Sequence, residues 1–412
     1  MASAISPARS AAFDVIRRVF EDEAYADRAL RTASARLSDR DRALARQLAY
    51  GTVQRARTLD YAIETVGRRP VGRLDAPVRA ALRLGTYQLA FLDGVPRYAA
   101  VNESVELVRR FGLERAVPFA NAVLRRLADE GRACVEALPD VTWQEAALAH
   151  SYPDWVAETW WRDLGADGAR ALMQAQNEAP ATVVRLVRGE IEGVPDPDVP
   201  GAWRVEHLDG TAFAEGRVWP QSAGSQLAGL AVGSTAGERV LDLCAAPGGK
   251  ATMLAGEVVA VEMNAARARE LEENAERLGA TSVRVVCADG RELPADLPGF
   301  DRALVDAPCS GLGVLAARPD LRWRSQPLPD LQLELLQAAA ARVRPGGTIV
   351  YSVCTLNRDE AEAVVDASGL EVDASLAAAW PQFRHEGRPE FLQTLPHVHG
   401  TSGFFIARLR VP

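Results

Sequence analysis

The nonapeptide Asp242-Leu243-Cys244-Ala245-Ala246-Pro247-Gly248-Gly249-Lys250 closes an apolar run that begins at Arg239. A hydrophobic strand that ends in small residues and two glycines, then turns toward a helix, lets the backbone approach a ligand closely. The pattern is neither the G-x-G-x-x-G dinucleotide fingerprint nor the phosphate loop G-x-x-x-x-G-K-[ST]. More apolar, β-like runs follow at Val258–Glu262, Val283–Cys287, Arg302–Val305 and Thr348–Val353, with helical stretches between them at Ala265–Leu278 and Leu331–Val343. Continuous apolar strands alternating with helices predict a parallel sheet covered on both faces, with its ligand beyond the carboxyl ends of the strands.

That rule singles out the residues just after each strand. The second run ends at Glu262, about twenty residues beyond the turn, where a carboxylate can accept both hydroxyls of a ribose. The third leads into Cys287-Ala288-Asp289-Gly290, which puts a second acid where an adenine edge would lie. The fourth leads into Asp306-Ala307-Pro308-Cys309-Ser310-Gly311. Acids also end strands as helix caps, but three in register after such a turn predict a pocket for an adenosine with a free ribose. Cys309 and Cys354, the latter in Tyr351-Ser352-Val353-Cys354-Thr355, follow the fourth and fifth strands. Adjacent strand ends would bring both thiols to one lip of the site, and a thiolate is a strong nucleophile. The residues alone leave open which thiol attacks. Cys134, Cys244 and Cys287 are expected to be small, buried and inert.

Upstream the texture is different. Segments Ala8–Phe20, Asp39–Val66, Ala76–Leu92, Tyr98–Phe111 and Val117–Glu130 carry apolar residues at three- and four-residue spacing, which predicts an all-α domain of five to seven helices over residues 1–135. Residues 143–225 read as a small α+β linker domain, with helix at Trp143–Asn177 and strands at Thr182–Val187 and Trp203–His207. Residues 226–412 form the α/β domain. At 412 residues the chain is too long for one ordinary core.

Charge follows the same division. The whole chain is −8, but residues 1–134 carry 23 arginines against 16 acidic residues, so this part is +7 and the remainder −15. A basic helical module on an acidic one suits an RNA-binding arm on an enzyme, although a merely solvated arginine surface would look the same. Of the 47 basic residues 46 are arginine, and the one lysine is Lys250, in the glycine turn. Its retention there points to a role for a compact ammonium group that a planar guanidinium cannot fill. Five scattered cysteines fit a reducing cytoplasm, and neither a membrane span, a signal pattern nor metal-ligand spacing is present in the sequence.

Leu241–Lys250, Asp306–Gly311 and Tyr351–Thr355 resemble the diagnostic motifs of the RNA cytosine-C5 methyltransferases, as do Arg318–Arg324 and the Gln221-x-x-x-Ser225 segment. The helical domain, through Asp39-Arg-Asp-Arg-Ala-Leu-Ala-Arg and Tyr50-Gly-Thr-Val, is similar to the antiterminator NusB. The combination resembles the Sun/Fmu (RsmB) group of 16S ribosomal RNA methyltransferases over nearly the whole chain. The resemblance implies a NusB-like domain followed by a Rossmann-like class I methyltransferase, with S-adenosylmethionine as cofactor, small-subunit ribosomal RNA as partner, and a cytoplasmic monomer needing no metal or membrane. It implies that Cys354 is the nucleophile and that Cys309 assists release of the product. Cys244, Ala245, Ala246, Pro247, Gly248, Gly249, Lys250, Glu262, Asp289 and Asp306 would line the cofactor, with Lys250 and Asp306 also serving catalysis. The chemistry agrees, because carbon 5 of cytosine attacks a methyl donor only after a thiolate has added at carbon 6. Two departures, Arg185-Leu-Val187 where Arg-Val-Asn is common and Ser402 where Asp is common, bear on RNA contact and not on the reaction. Two other functions compete. A DNA-cytosine or small-molecule methyltransferase would make Cys309 the attacker or need no basic arm, and an RNA-binding antitermination factor on a decayed enzyme fold would not keep Lys250, Asp306, Cys309 and Cys354 intact.

Overall fold

The computed structural model describes residues 5–412, and the chain divides into two compact units. The first takes in the chain through Glu178 together with Leu315–Arg324; the second comprises Ala179–Val314 and Ser325–Pro412.

The first unit is all helical: α1 (Pro7–Glu21), α2 (Ala26–Ala33), α3 (Asp39–Gln54), α4 (Ala56–Gly67), α5 (Ala76–Phe91), α6 (Arg97–Arg110), α7 (Val117–Glu136), α8 (Trp143–Ala149) and α9 (Asp154–Ala175). Helix α3 starts where Ser38 accepts the amide of Asp41, and α8 starts on a full capping box between Thr142 and Glu145. The apolar stripes of α1 and α3–α7 bury Phe13, Ile16, Leu48, Leu59, Ile63, Leu82, Leu107 and Leu124 in one core. The continuous helix read over Asp39–Val66 is two helices, because the chain breaks at Arg55 (φ −95°, ψ 9°). The helix read over Trp143–Asn177 is interrupted as well, by the loop to Pro153 and by Gly165 at φ +71°.

The segment 143–225 does not stand as a separate domain. Its helices α8 and α9 belong to the first unit and its strands to the second, with the boundary at Glu178/Ala179. The decade Leu315–Arg324 shows what holds the first unit at this end. Arg322 is completely buried and donates to the carbonyls of Gln54 (2.8 Å) and Ser151 (3.0 Å), to Asn177 Oδ1 (2.9 Å) and to Tyr152 Oη (3.0 Å), with its guanidinium 3.8 Å from the centre of the Tyr152 ring. Trp323 Nε1 donates to the Val53 carbonyl at 2.7 Å. A guanidinium offers five N–H donors in a fixed planar fork, against three on an ammonium, and the Arg318–Arg324 motif acts here as a peg in a helical unit.

The second unit holds two sheets. Strands β1 (Thr182–Leu186), β2 (Val194–Pro195), β3 (Ala202–Val205) and β4 (Val218–Pro220) form a small antiparallel sheet in the order β2-β3-β1-β4. The large sheet contains β5 (Arg239–Leu243), β6 (Glu257–Val261), β7 (Val283–Val286), β8 (Phe300–Asp306), β9 (Val343–Val353), β10 (Glu371–Val372), β11 (Leu392–Thr394) and β12 (Phe404–Arg410), in the order β10-β12-β9-β8-β5-β6-β7 with β11 on β12. Strands β9, β8, β5, β6 and β7 run parallel, as the sequence predicts. Strand β12 is antiparallel to β9, so the sheet is mixed at one edge. Core residues lie on both faces: Val240, Val258, Leu304 and Val350 pack to one side, and Leu241, Val259, Val305 and Ile349 to the other. Successive strands leave β5 in opposite directions, to β6 and later to β8, so the switch point lies between β5 and β8. Among the described residues no helix is long and apolar enough to cross a membrane.

Candidate active site

At the carboxyl edge of β5 the chain enters the left-handed region at Cys244 (φ +63°) and makes a tight turn through Gly248 (φ +102°). The turn is held from outside. Its carbonyls at Ala246, Pro247, Gly248 and Gly249 each accept a side-chain donor: Arg267 (2.7 Å), Asn274 (2.9 Å), Thr252 (2.7 Å) and Arg185 (3.0 Å). A Cβ at Gly248 would stand 2.4 Å from Leu271, and one at Gly249 would stand 2.7 Å from Trp219 Nε1. Arg185, on β1, is buried, which lowers its pKa to about 10, and it also donates to Thr252 Oγ1 at 2.8 Å. In the sequence Arg185 stands out only as part of a departure from a motif, but the structure makes it a brace for the turn.

The predicted acids take adjacent places. Leu243 is in register with Val261 of β6 and Val305 of β8, and Val261 with Val286 of β7. Glu262, Asp289 and Asp306 therefore stand at the same edge as the turn. Glu262 is buried; it accepts the Asn264 amide at 2.9 Å and pairs with Arg267 at 3.3 Å. Asp289 is more open, and its hydrogen bonds from Arg291 hold its carboxyl below the usual range. A glycine cradle with no room for a Cβ, flanked by acceptors on the next two strands, fits an adenosyl group with its ribose hydroxyls.

On the other side of β5, Asp306 accepts Lys250 Nζ at 2.7 Å on one oxygen and Ser352 Oγ at 2.8 Å on the other. Burial pushes the Lys250 ammonium toward neutrality, but the Asp306 charge and hydrogen bond outweigh it and raise its pKa. The ammonium also lies 5.1 Å from the centre of the Phe404 ring. Asp242, inside β5, is buried with no hydrogen bond to either oxygen. Desolvation first, then the Asp306 charge, push its carboxyl well above the normal range.

The two thiols meet: Cys309 Sγ is 3.4 Å from Cys354 Sγ, and both residues are half-buried. Either sulfur can donate in this contact; with Cys309 as donor it favours a thiolate on Cys354 against burial and the Asp306 charge, and Lys250 adds to it. Donating that bond, together with burial, keeps Cys309 protonated. The other cysteines differ from expectation in part. Cys244 sits in the turn, where burial pushes its thiol up to about 12. Cys134 is only half-buried against the helical core, and Cys287 is exposed. Cys287 lies just past β7, the edge strand, where no further strand covers it. Among the described residues no three His, Cys, Asp or Glu side chains converge as a metal-ligand set.

Sequence reasoning did not single out Ser352, which fixes Asp306, or Glu360, a completely buried acid behind the thiols. Both lie in or near the Tyr351–Thr355 motif, so closeness to that motif was the available signal.

A glycine turn beside the switch point, with acids on the two following strands, is how class I methyltransferases hold S-adenosylmethionine, and the fold and site place this chain in that class. Residues 230–410 match the model of the 16S rRNA methyltransferase RsmB/F family and residues 6–129 that of the NusB family. A relative from Bacillus subtilis, described as a probable ribosomal RNA small subunit methyltransferase B, is 32% identical over 98% of both chains. The ribosomal RNA small subunit methyltransferase B of Thermus thermophilus is 37% identical over 93% of this chain and 92% of its own. Among solved structures, the crystal structure of PH0851 superposes over the whole of both chains with a TM-score of 0.81 at 22% identity, which bears on the fold alone. The chain belongs to the RsmB family of small-subunit ribosomal RNA methyltransferases.

Proposed function

We propose that this protein transfers a methyl group from S-adenosylmethionine to carbon 5 of a cytosine in 16S ribosomal RNA, in the cytoplasm, through a covalent bond between Cys354 and carbon 6. The observation that carries the reading is the 3.4 Å approach of two thiols beside the Lys250–Asp306 pair. S-adenosylmethionine supplies the electrophilic methyl group. Cys354 bonds to carbon 6 as a thiolate, and the displaced electron pair makes carbon 5 nucleophilic while N3 of the base takes the proton held by the Lys250–Asp306 pair. Asp306, held by Lys250 and Ser352, is the group assigned to that edge of the base. After transfer the hydrogen on carbon 5 leaves as a proton to solvent water, and its electron pair forms the C5–C6 double bond as the Sγ–C6 bond breaks. Cys354 departs as a thiolate, and N3 returns its proton to the Lys250–Asp306 pair. The Cys309 thiol, in hydrogen-bond reach, stabilises that departing sulfur and so assists release. With Cys309 as the hydrogen-bond donor Cys354 is the more acidic thiol, which supports Cys354 as the attacker.

The helical unit serves RNA binding in this reading. Its candidate surface is a cavity of about 460 Å³ between α5 and the start of α7, where Arg69, Arg73 and Arg115 are all exposed. Asp75 and Glu114 line the same cavity, so its net charge is +1, and the three guanidinium groups are its donors for a phosphodiester backbone. Bisulfite mapping of small-subunit ribosomal RNA with and without the gene tests the function. One cytosine should lose protection in the deletion, and an unchanged map would refute the substrate.

A further inference from the structure

Behind the thiol pair lies a carboxylate with no part in the chemistry described so far. Glu360 is completely buried. One of its oxygens accepts the amides of Ser310 (2.9 Å) and Leu328 (3.1 Å) and the side-chain amide of Gln332 (3.0 Å); the other accepts the hydroxyl of Ser310. Its own carbonyl accepts Tyr351 Oη at 2.6 Å. The partners of the carboxylate are all neutral donors, and four hydrogen bonds offset the cost of burying it.

Those partners are the neighbours of the thiols. Ser310 follows Cys309 and Thr355 follows Cys354, and the two hydroxyl oxygens are 2.8 Å apart. A chain of contacts thus runs from Glu360 through Ser310 to Thr355, one residue beyond each sulfur and parallel to the 3.4 Å Sγ–Sγ contact. We propose that Glu360 is the positioning residue of the thiol pair: through Ser310 and Thr355 it fixes the loops that carry Cys309 and Cys354, and it determines which thiol attacks. The charge works in the same direction as the geometry. Glu360 is among the groups that disfavour a thiolate on Cys309, while at Cys354 the Lys250 charge favours a thiolate and the Asp306 charge opposes it. A neutral donor network of the same shape would hold the loops but leave the two sulfurs less different.

The inference rests on the proposed roles of the cysteines, but its deciding test needs neither RNA nor methyl donor. The rate of iodoacetamide alkylation at Cys309 and Cys354 is followed against pH by peptide mass spectrometry in the full chain, in wild type, Glu360→Gln and Glu360→Ala, with thermal unfolding in parallel. Wild type should alkylate Cys354 at lower pH than Cys309. In Glu360→Gln the Cys309 midpoint should fall by a unit or more and the selectivity for Cys354 should drop at least fivefold, while Glu360→Ala should lose selectivity further. In methylation assays Glu360→Gln should lower kcat with the KM for S-adenosylmethionine unchanged. Should neither variant fold, Ser310→Ala and Thr355→Val cut the same bridge and should also erode selectivity. Folded variants that keep both midpoints and the wild-type selectivity would overturn the proposal, whatever the RNA assays show about Cys354.

Discussion

Lys250 Nζ lies 2.7 Å from Asp306 Oδ2, joining the glycine turn after β5 to the strand end that precedes Cys309. In a chain whose other basic side chains are all arginine, this ammonium lies among Asp306, Cys354 and the Phe404 ring. Loss of the pair should therefore act on chemistry more than on cofactor affinity. Lys250→Ala and Lys250→Arg should each reduce kcat by about 100-fold or more, within the range for a positioned proton-transfer group. Steady-state kinetics should show a smaller change in the KM for S-adenosylmethionine. A KM effect with kcat intact would assign Lys250 to binding.

The strand-end acids predict affinity. Glu262→Ala and Asp289→Ala each remove a charged acceptor, worth roughly 1.5–3 kcal/mol, or about 10- to 150-fold in Kd. Glu262 is buried and Asp289 partly open, so the first loss should be the larger. Calorimetric titration with S-adenosylmethionine checks the order, and unchanged affinity in both variants would mean that the cofactor lies elsewhere.

The arginine-lined cavity predicts a salt effect. Reversing Arg69, Arg73 and Arg115 to glutamate should weaken RNA binding and reduce the slope of log K against log salt by about 0.7–0.9 for each phosphate that is no longer neutralised. S-adenosylmethionine affinity should not change. Filter-binding at several salt concentrations decides it, and an unchanged slope would remove this face from the RNA surface.

Asp242 predicts a pH dependence of stability. Its folded-state pKa is raised well above 3.8, so the folded protein keeps a proton that the unfolded chain releases. Stability is then fully present below about pH 4 and declines as pH rises toward the folded-state pKa. Asp242→Asn cannot titrate. Its urea midpoint relative to wild type should rise as pH increases above about 4, and a pH-independent difference would contradict the assignment.

The sequence was most informative where the signals are local. Helix Ala265–Leu278 has the bounds read for it, because Asn264 caps its start and Gly279, at φ +70°, ends it. Strand β5 agrees residue for residue, being apolar and closed by the turn. Long-range packing was not legible. Nothing in Leu315–Arg324 says that ten residues inside a methyltransferase sequence pack with the helical unit, since the carbonyls that receive Arg322 come from residues 145 to 268 positions away. Strand β12 went unread because its place is set by pairing with β9. Glu360 sits beside Asn357, Arg358 and Asp359 and looks like solvated surface, and only its four tertiary donors make it a core residue. The thiol pair was legible as two strand ends, while the 3.4 Å contact depends on β8 and β9 being neighbours.

The central claim is that Cys354 attacks and Cys309 serves release, and denaturing electrophoresis of protein–RNA adducts tests it most directly. Incubated with small-subunit ribosomal RNA and S-adenosylmethionine, Cys354→Ala should give neither methylation nor an adduct, because the bond to carbon 6 never forms. Cys309→Ala should transfer the methyl group and then stall, leaving a protein–RNA band that survives denaturation, and the double variant should show none. A trapped band in Cys354→Ala, with none in Cys309→Ala, would contradict the account and make Cys309 the nucleophile.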